Sequence, residues 1–162
     1  MDLACPNYFA VDAARPAVCD DNTWDNVALL DKFLRGEIAA VTSYELALAR
    51  VDGPLHRGVL MRCRDSHRKR SLILRELVKR YGAAPSRTAG PWGWFARAVE
   101  TGAALLGEDT ALRALHEGEL HGLKSYLADV ERLTGPAFRV VKTQVLPEQR
   151  ITSDALTQLA RR

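Results

Sequence analysis

The sequence predicts an all-α protein, a four-helix bundle with a long crossover between its second and third helices. Three observations carry that prediction. Four stretches place apolar residues at helical spacing, and the connection after the second stretch is far longer than the others. A Gly-Glu-x6-Tyr pattern also occurs twice, at Gly36-Glu37…Tyr44 and at Gly118-Glu119…Tyr126, 82 residues apart. The repeat makes helices one and two a half similar to helices three and four.

Composition bounds the class. The 162 residues are enough for one domain with a real core and too few for two comfortable ones. Hydrophobic residues make up 47% and charged residues 27%, an ordinary soluble balance, and a net charge of +3 does not by itself argue for nucleic acid. No apolar run approaches the roughly 20 residues that span a bilayer, and the first residues lack the regions of a signal peptide. Cys5, Cys19 and Cys63 show neither metal-knuckle spacing nor an even disulfide set, so a reduced, cytoplasmic protein is expected, with Cys63 a small buried hydrophobe.

Residues 1–21 mix prolines, Asn7 and several Asp without periodicity and read as a loosely ordered N-terminal arm; residues 22–162 form the single domain. Asp21, Asn22 and Thr23 are candidate N-caps for helix one. Its stripe is Leu30, Phe33, Leu34, Val41, Tyr44, Leu48 and Val51, and Gly53-Pro54 ends it. Helix two starts near Pro54 and carries Leu60, Cys63, His67, Ser71, Leu74, Val78 and Tyr81, with Gly82 as C′ residue. Its other faces are basic: Arg62, Arg64, Arg68, Lys69, Arg70, Arg75, Lys79 and Arg80. Residues 82–110 form the crossover, in which Trp92, Phe95, Val99, Ala103 and Leu106 give a short amphipathic helix; Trp92 and Trp94 are expected to cover a flank of the core. Helix three, from about Thr110 to Leu133, shows Leu112, Leu115, Glu119, Leu123, Tyr126, Val130 and Leu133. After Thr134-Gly135-Pro136 the last helix carries Phe138, Val141, Val145, Glu148, Thr152, Ala155 and Leu159, and Pro147 should kink or split it.

Each stripe is interrupted by an ionisable group: Glu37, His67, Glu119 and Glu148 in turn. A buried carboxylate is costly unless it is paired or hydrogen-bonded. Tyr44, Tyr126, His67 and Arg64 are donors able to satisfy Glu37 and Glu119 without a metal. Elsewhere, His116 borders the stripe as a further donor or a core-edge residue, Glu117 and His121 read as a solvated pair, and His56 as a turn residue.

The repeat, the long crossover and the mid-stripe glutamates resemble the ferritin-like superfamily, and more narrowly the small bacterial family known as domain of unknown function 2383. The resemblance covers roughly Trp24 to Leu159, including Gly82-Ala83-Ala84-Pro85 and the Leu112 to Tyr126 segment. It implies a di-iron or di-manganese centre held by one Glu from each of two helices and a Glu-x-x-His from each of the others. Glu37 and Glu119 match the single glutamates. His67 matches one histidine, with Arg64 where its glutamate belongs. Glu148 matches the last glutamate, with Ile151 in place of histidine. The ligand set so implied, Glu37, His67, Glu119 and Glu148, is depleted, and no catalytic residue is assigned.

Three readings follow. The one adopted is a non-catalytic ferritin-like module with a degraded di-metal site, without cofactor, serving interaction or stress functions, with a homodimer through an exposed helix face left open. The alternative is an iron- or manganese-binding redox or iron-handling protein using those four residues. The third, association with DNA or another anion through Arg62, Arg64, Arg68 and Arg70, is disfavoured by the lack of aromatic interleaving and of any DNA-reading motif.

Overall fold

The computed structural model describes residues 21–93, 97 and 108–161. Among them the chain is all-α. Helix α1 (Asp21–Leu48) leads through a short link into α2 (Pro54–Arg80), and α3 (Glu108–Asp129) follows the connection at 81–107. The chain ends with α4 (Gly135–Val140), a π-helical turn (Val141–Val145) and α5 (Leu146–Ala160). The last three keep helical backbone angles at their junctions and run on as one rod, so the described residues form four rods. α1 packs along α2 and α3 along α5; the pairs meet where α1 faces α3 and α2 faces α5. The arm expected at 1–21 lies outside the described residues apart from Asp21. So does the short helix expected after Trp92, although a single 3-10 turn covers Gly90–Trp92.

The helix ends have local causes. Pro54 sits in the first turn of α2, where a missing N–H costs nothing. Arg57 Nη1 donates to the carbonyls of Leu48 and Val51, at 2.6 and 2.8 Å, and so occupies carbonyls that the end of α1 leaves without helical partners. At the end of α2, Gly82 adopts φ 77°, the Gly82 N–H bonds Lys79 O and the Ala83 N–H bonds Val78 O, which is the Schellman closure expected of glycine at C′. The expected break at Pro147 takes the form of the π-helical turn. A proline cannot donate to the preceding turn and its ring crowds the carbonyl four residues back, so the helix widens just before it.

The core is divided in two. Leu30, Phe33, Leu34, Leu74, Val78, Tyr126, Val130, Val141 and Val145 form one hydrophobic cluster, and Tyr44, Ala47, Val51, Leu60, Cys63, Leu112, Leu115 and Leu156 form the other. Between them every rod turns a polar residue inward: Glu37 on α1, His67 and Arg70 on α2, Glu119 on α3, Gln149 and Thr152 on α5. Two sequence expectations are corrected at this layer. Arg70, expected on a basic outer face, is fully buried because its guanidinium is taken up by Glu37 and Gln149. The inward residue of the last helix is Gln149, because the wide π-helical turn carries the buried face one residue past Glu148, which is half-buried. Cys63 is buried, and burial, with the nearby Glu119 charge, pushes its thiol up to about 11, which keeps it inert.

A buried charged layer as the candidate functional site

The layer is built from two carboxylates and the groups that reach them. Glu37 Oε1 accepts from the Tyr126 hydroxyl at 2.7 Å, and Glu37 Oε2 lies 2.7 Å from His67 Nδ1. Arg70 Nε spans both Glu37 oxygens at 3.1 Å. Glu119 Oε1 accepts from Tyr44 at 2.6 Å and lies 2.7 Å from His67 Nε2, while Glu119 Oε2 accepts from Gln149 Nε2 at 2.7 Å and from Thr152 at 2.9 Å. Arg70 is completed by Ser66 Oγ at 3.0 Å and Gln149 Oε1 at 2.9 Å. Among the described residues no buried side-chain nitrogen or oxygen lacks a partner.

Charge balance assigns the protons. Glu37 and Glu119 carry two negative charges and Arg70 one positive, so a neutral His67 would leave a net charge in a dry interior. A protonated His67 closes the balance and places one N–H toward each carboxylate; Arg70 Nη2, itself only a donor, lies 2.6 Å from Nδ1 and competes with Glu37 for that nitrogen. The shifts agree in direction. For Glu37, burial raises the carboxyl, but Arg70 and then His67 pull it down to about 2. Burial raises Glu119 too, and His67 and Tyr44 bring it below its ordinary value. Burial lowers His67, but Glu119 and Glu37 outweigh it and leave the imidazole above 6.5, against the opposing charge of Arg70, whose Nη2 lies 2.6 Å from Nδ1. Burial pushes the Tyr44 and Tyr126 hydroxyls well above 10, so both stay donors.

The structure brings together three of the four residues expected to ligate a metal: Glu37, His67 and Glu119. Glu148 stands apart. It accepts from Ser66 Oγ at 2.8 Å, and Ser66 in turn accepts from Arg70 Nη1 at 3.0 Å, which links it to the layer. Arg64, expected as a partner of Glu37 or Glu119 if it turned inward, instead pairs with the neighbouring Asp65 at 2.8 Å. His116 bonds Thr157 at 3.1 Å, His56 pairs with Glu108, and Glu117 and His121 are exposed.

Arg70, Gln149 and Ser66 were missed by sequence reasoning, yet a signal for them existed. The 82-residue offset that relates Glu37 to Glu119 also relates Ser66 to Glu148, His67 to Gln149 and Arg70 to Thr152. The inward pairs at i, i+3 are thus His67 with Arg70 and Gln149 with Thr152, the same register in both halves.

Beside the layer, a cleft of about 260 Å³ opens between α1 and α3, its walls including Gly36, Ala40, Ser43, Gly118, Gly122 and Ser125 and its floor Glu37, His67 and Glu119. Among the described residues, no group of three or more His, Cys, Asp or Glu side chains is arranged to hold a metal ion. The imidazole separates the two carboxylates and points one nitrogen at each, so the donors do not converge on a point. No helix among the described residues is long and apolar enough to cross a membrane. Compared with known proteins, the chain matches no family model, no curated protein and no solved structure.

Proposed function

We propose that this chain is a ferritin-like bundle, of the kind grouped as domain of unknown function 2383, whose di-metal positions have become a self-neutralising polar layer. It then acts as a non-catalytic interaction or stress-associated module. In this reading Glu37 and Glu119 keep the single-glutamate positions, while the buried pairs His67-x-x-Arg70 and Gln149-x-x-Thr152 take the two Glu-x-x-His positions. That register moves His67 from the histidine to the glutamate position and replaces Glu148 by Gln149. Two internal cations, Arg70 and His67, stand in for the two ions.

One observation carries the reading: the carboxylates are saturated. A carboxylate offers about four lone-pair sites. Glu119 fills them with Tyr44, His67, Gln149 and Thr152, and Glu37 with Tyr126, His67 and the Arg70 Nε that it shares between both oxygens. Both imidazole nitrogens are likewise engaged, and a buried guanidinium beside Glu37 repels a second cation. The residues present do not fit a metal pair, which weighs against the alternative of an iron- or manganese-handling redox protein.

The test is metal content by mass spectrometry on protein purified without tag or chelator, followed by iron(II) and manganese(II) titration. No metal above background, and no rise in Tm on titration, is expected, since only a ligand that binds the folded state raises stability. About two metals per chain, lost in Glu119→Ala, would overturn the proposal.

A further inference from the structure

The cleft between α1 and α3 is a feature that the polar layer does not explain. Glycines and alanines on facing helices ordinarily let backbones close to contact. Here a cleft remains between them, and Tyr44 and Tyr126, which each reach the carboxylate of the other half, are among its lining residues. Among the described residues, a Cβ built on Gly36 meets nothing within 4 Å. The cleft runs from Lys32 to Tyr44 on α1, a helical length of about 18 Å. Its volume is about 260 Å³. A dry cavity of about 150 Å³ takes benzene, so this one has room for a chain of about ten carbons.

The two ends differ in charge. The floor carries ionised groups, but they are paired among themselves and offer a ligand no ionic handle. Lys32 stands at one end, its side chain 40% exposed, and bonds Asp129 Oδ2 at 2.5 Å. Asp129 Oδ1 is held independently by Arg132 at 2.7 Å, so Lys32 can turn to another anion without stranding Asp129. The exposed Glu117 lies on α3 toward the opposite end and repels a carboxylate there. A long, narrow, largely apolar slot whose described lining holds one Lys or Arg, at a single end, matches one ligand shape. We propose that the cleft binds a medium-chain aliphatic carboxylate, with its headgroup at Lys32 and its tail along Gly36, Ala40 and Gly122.

The experiment is calorimetric titration of sodium decanoate, below its micelle concentration, into the full chain, with decanamide as the neutral control. Saturable binding at one decanoate per chain is expected. Lys32→Gln weakens decanoate about five-fold, the measure of one half-exposed ion pair, and leaves decanamide unchanged. Gly36→Leu fills the slot and abolishes binding of both, with helical content by circular dichroism intact; Ala40→Leu is the second blocking variant should Gly36→Leu fail to fold. Absence of saturable heat overturns the proposal, as does decanoate affinity that survives in folded blocking variants or is indifferent to Lys32→Gln. So does sedimentation as a dimer that a blocking variant dissociates, for then a second copy covers the cleft.

Discussion

Tyr44 on α1 donates a 2.6 Å hydrogen bond to Glu119 on α3, and Tyr126 on α3 returns one of 2.7 Å to Glu37 on α1. Each half of the repeat thus satisfies the carboxylate of the other. The exchange explains why the spacing from Glu to Tyr is the same in both halves. Two turns of helix carry the phenol to the level of the opposite acid.

The two tyrosines should therefore be energetically equivalent. Tyr44→Phe and Tyr126→Phe each remove one hydrogen bond to a charged acceptor and are expected to cost about 1.5–3 kcal/mol, the two values agreeing to within about 1 kcal/mol. Urea denaturation of both variants checks it.

Arg70 is expected to dominate stability among the arginines of α2. Arg70→Met leaves Glu37 buried without its guanidinium and should cost about 3–5 kcal/mol. Arg64→Met, at a partly exposed pair with Asp65, should stay within about 0.5 kcal/mol of the parent. Adding Glu37→Gln to Arg70→Met should recover part of the loss, since the stranded charge goes with it; a double-mutant cycle measures the coupling.

The pH dependence follows from the carboxylates, which are both lowered, and from His67, which is raised. Glu37 is held at about 2 in the folded state, below its ordinary 4.5, so its contribution is complete above about 4.5 and is lost as pH falls toward 2. His67 lies above its ordinary 6.5 in the folded state, so its contribution is complete below 6.5 and is lost as pH rises through the higher folded value. Urea midpoints should form a plateau between about pH 4.5 and 6.5 and fall on both sides. A midpoint that climbs steadily above pH 7 would contradict the assignment.

If the layer occupies a former ligand set, restoring the ligands should restore metal. The combination His67→Glu, Arg70→His, Gln149→Glu and Thr152→His rebuilds Glu-x-x-His at both inward i, i+3 pairs beside Glu37 and Glu119. That protein is expected to take up about two manganese(II) or iron(II) ions per chain and to show a metal-dependent rise in Tm. Failure to bind any metal while folded would count against the register assigned here.

Much of the architecture was legible in the sequence because hydrophobic periodicity is a local signal. The stripes gave four helices, Gly82 gave the end of α2 and Gly53-Pro54 its start, although α1 itself stops earlier, at Leu48, and the acids in the stripes of α1 and α3 are where the layer forms. Two things were not legible by periodicity. Arginine is almost never fully buried, so Arg70 reads as one more residue of a basic face until its partners are known. A stripe carried straight through the last helix selects Glu148, whereas the π-helical turn holds more residues per turn and brings Gln149 inward. The 82-residue offset would have corrected both, because it pairs His67 with Gln149 and Arg70 with Thr152.

The central claim is that the layer neutralises itself with its own two cations, and the charge of His67 is its most exposed element. Nitrogen-15 chemical shifts of the His67 imidazole, assigned against a His67→Gln variant at pH 6.5, report it directly. Both ring nitrogens protonated, with each N–H coupled to a carboxylate acceptor, is the result expected. A neutral ring with one unprotonated nitrogen would leave a buried negative charge unbalanced and would contradict the account.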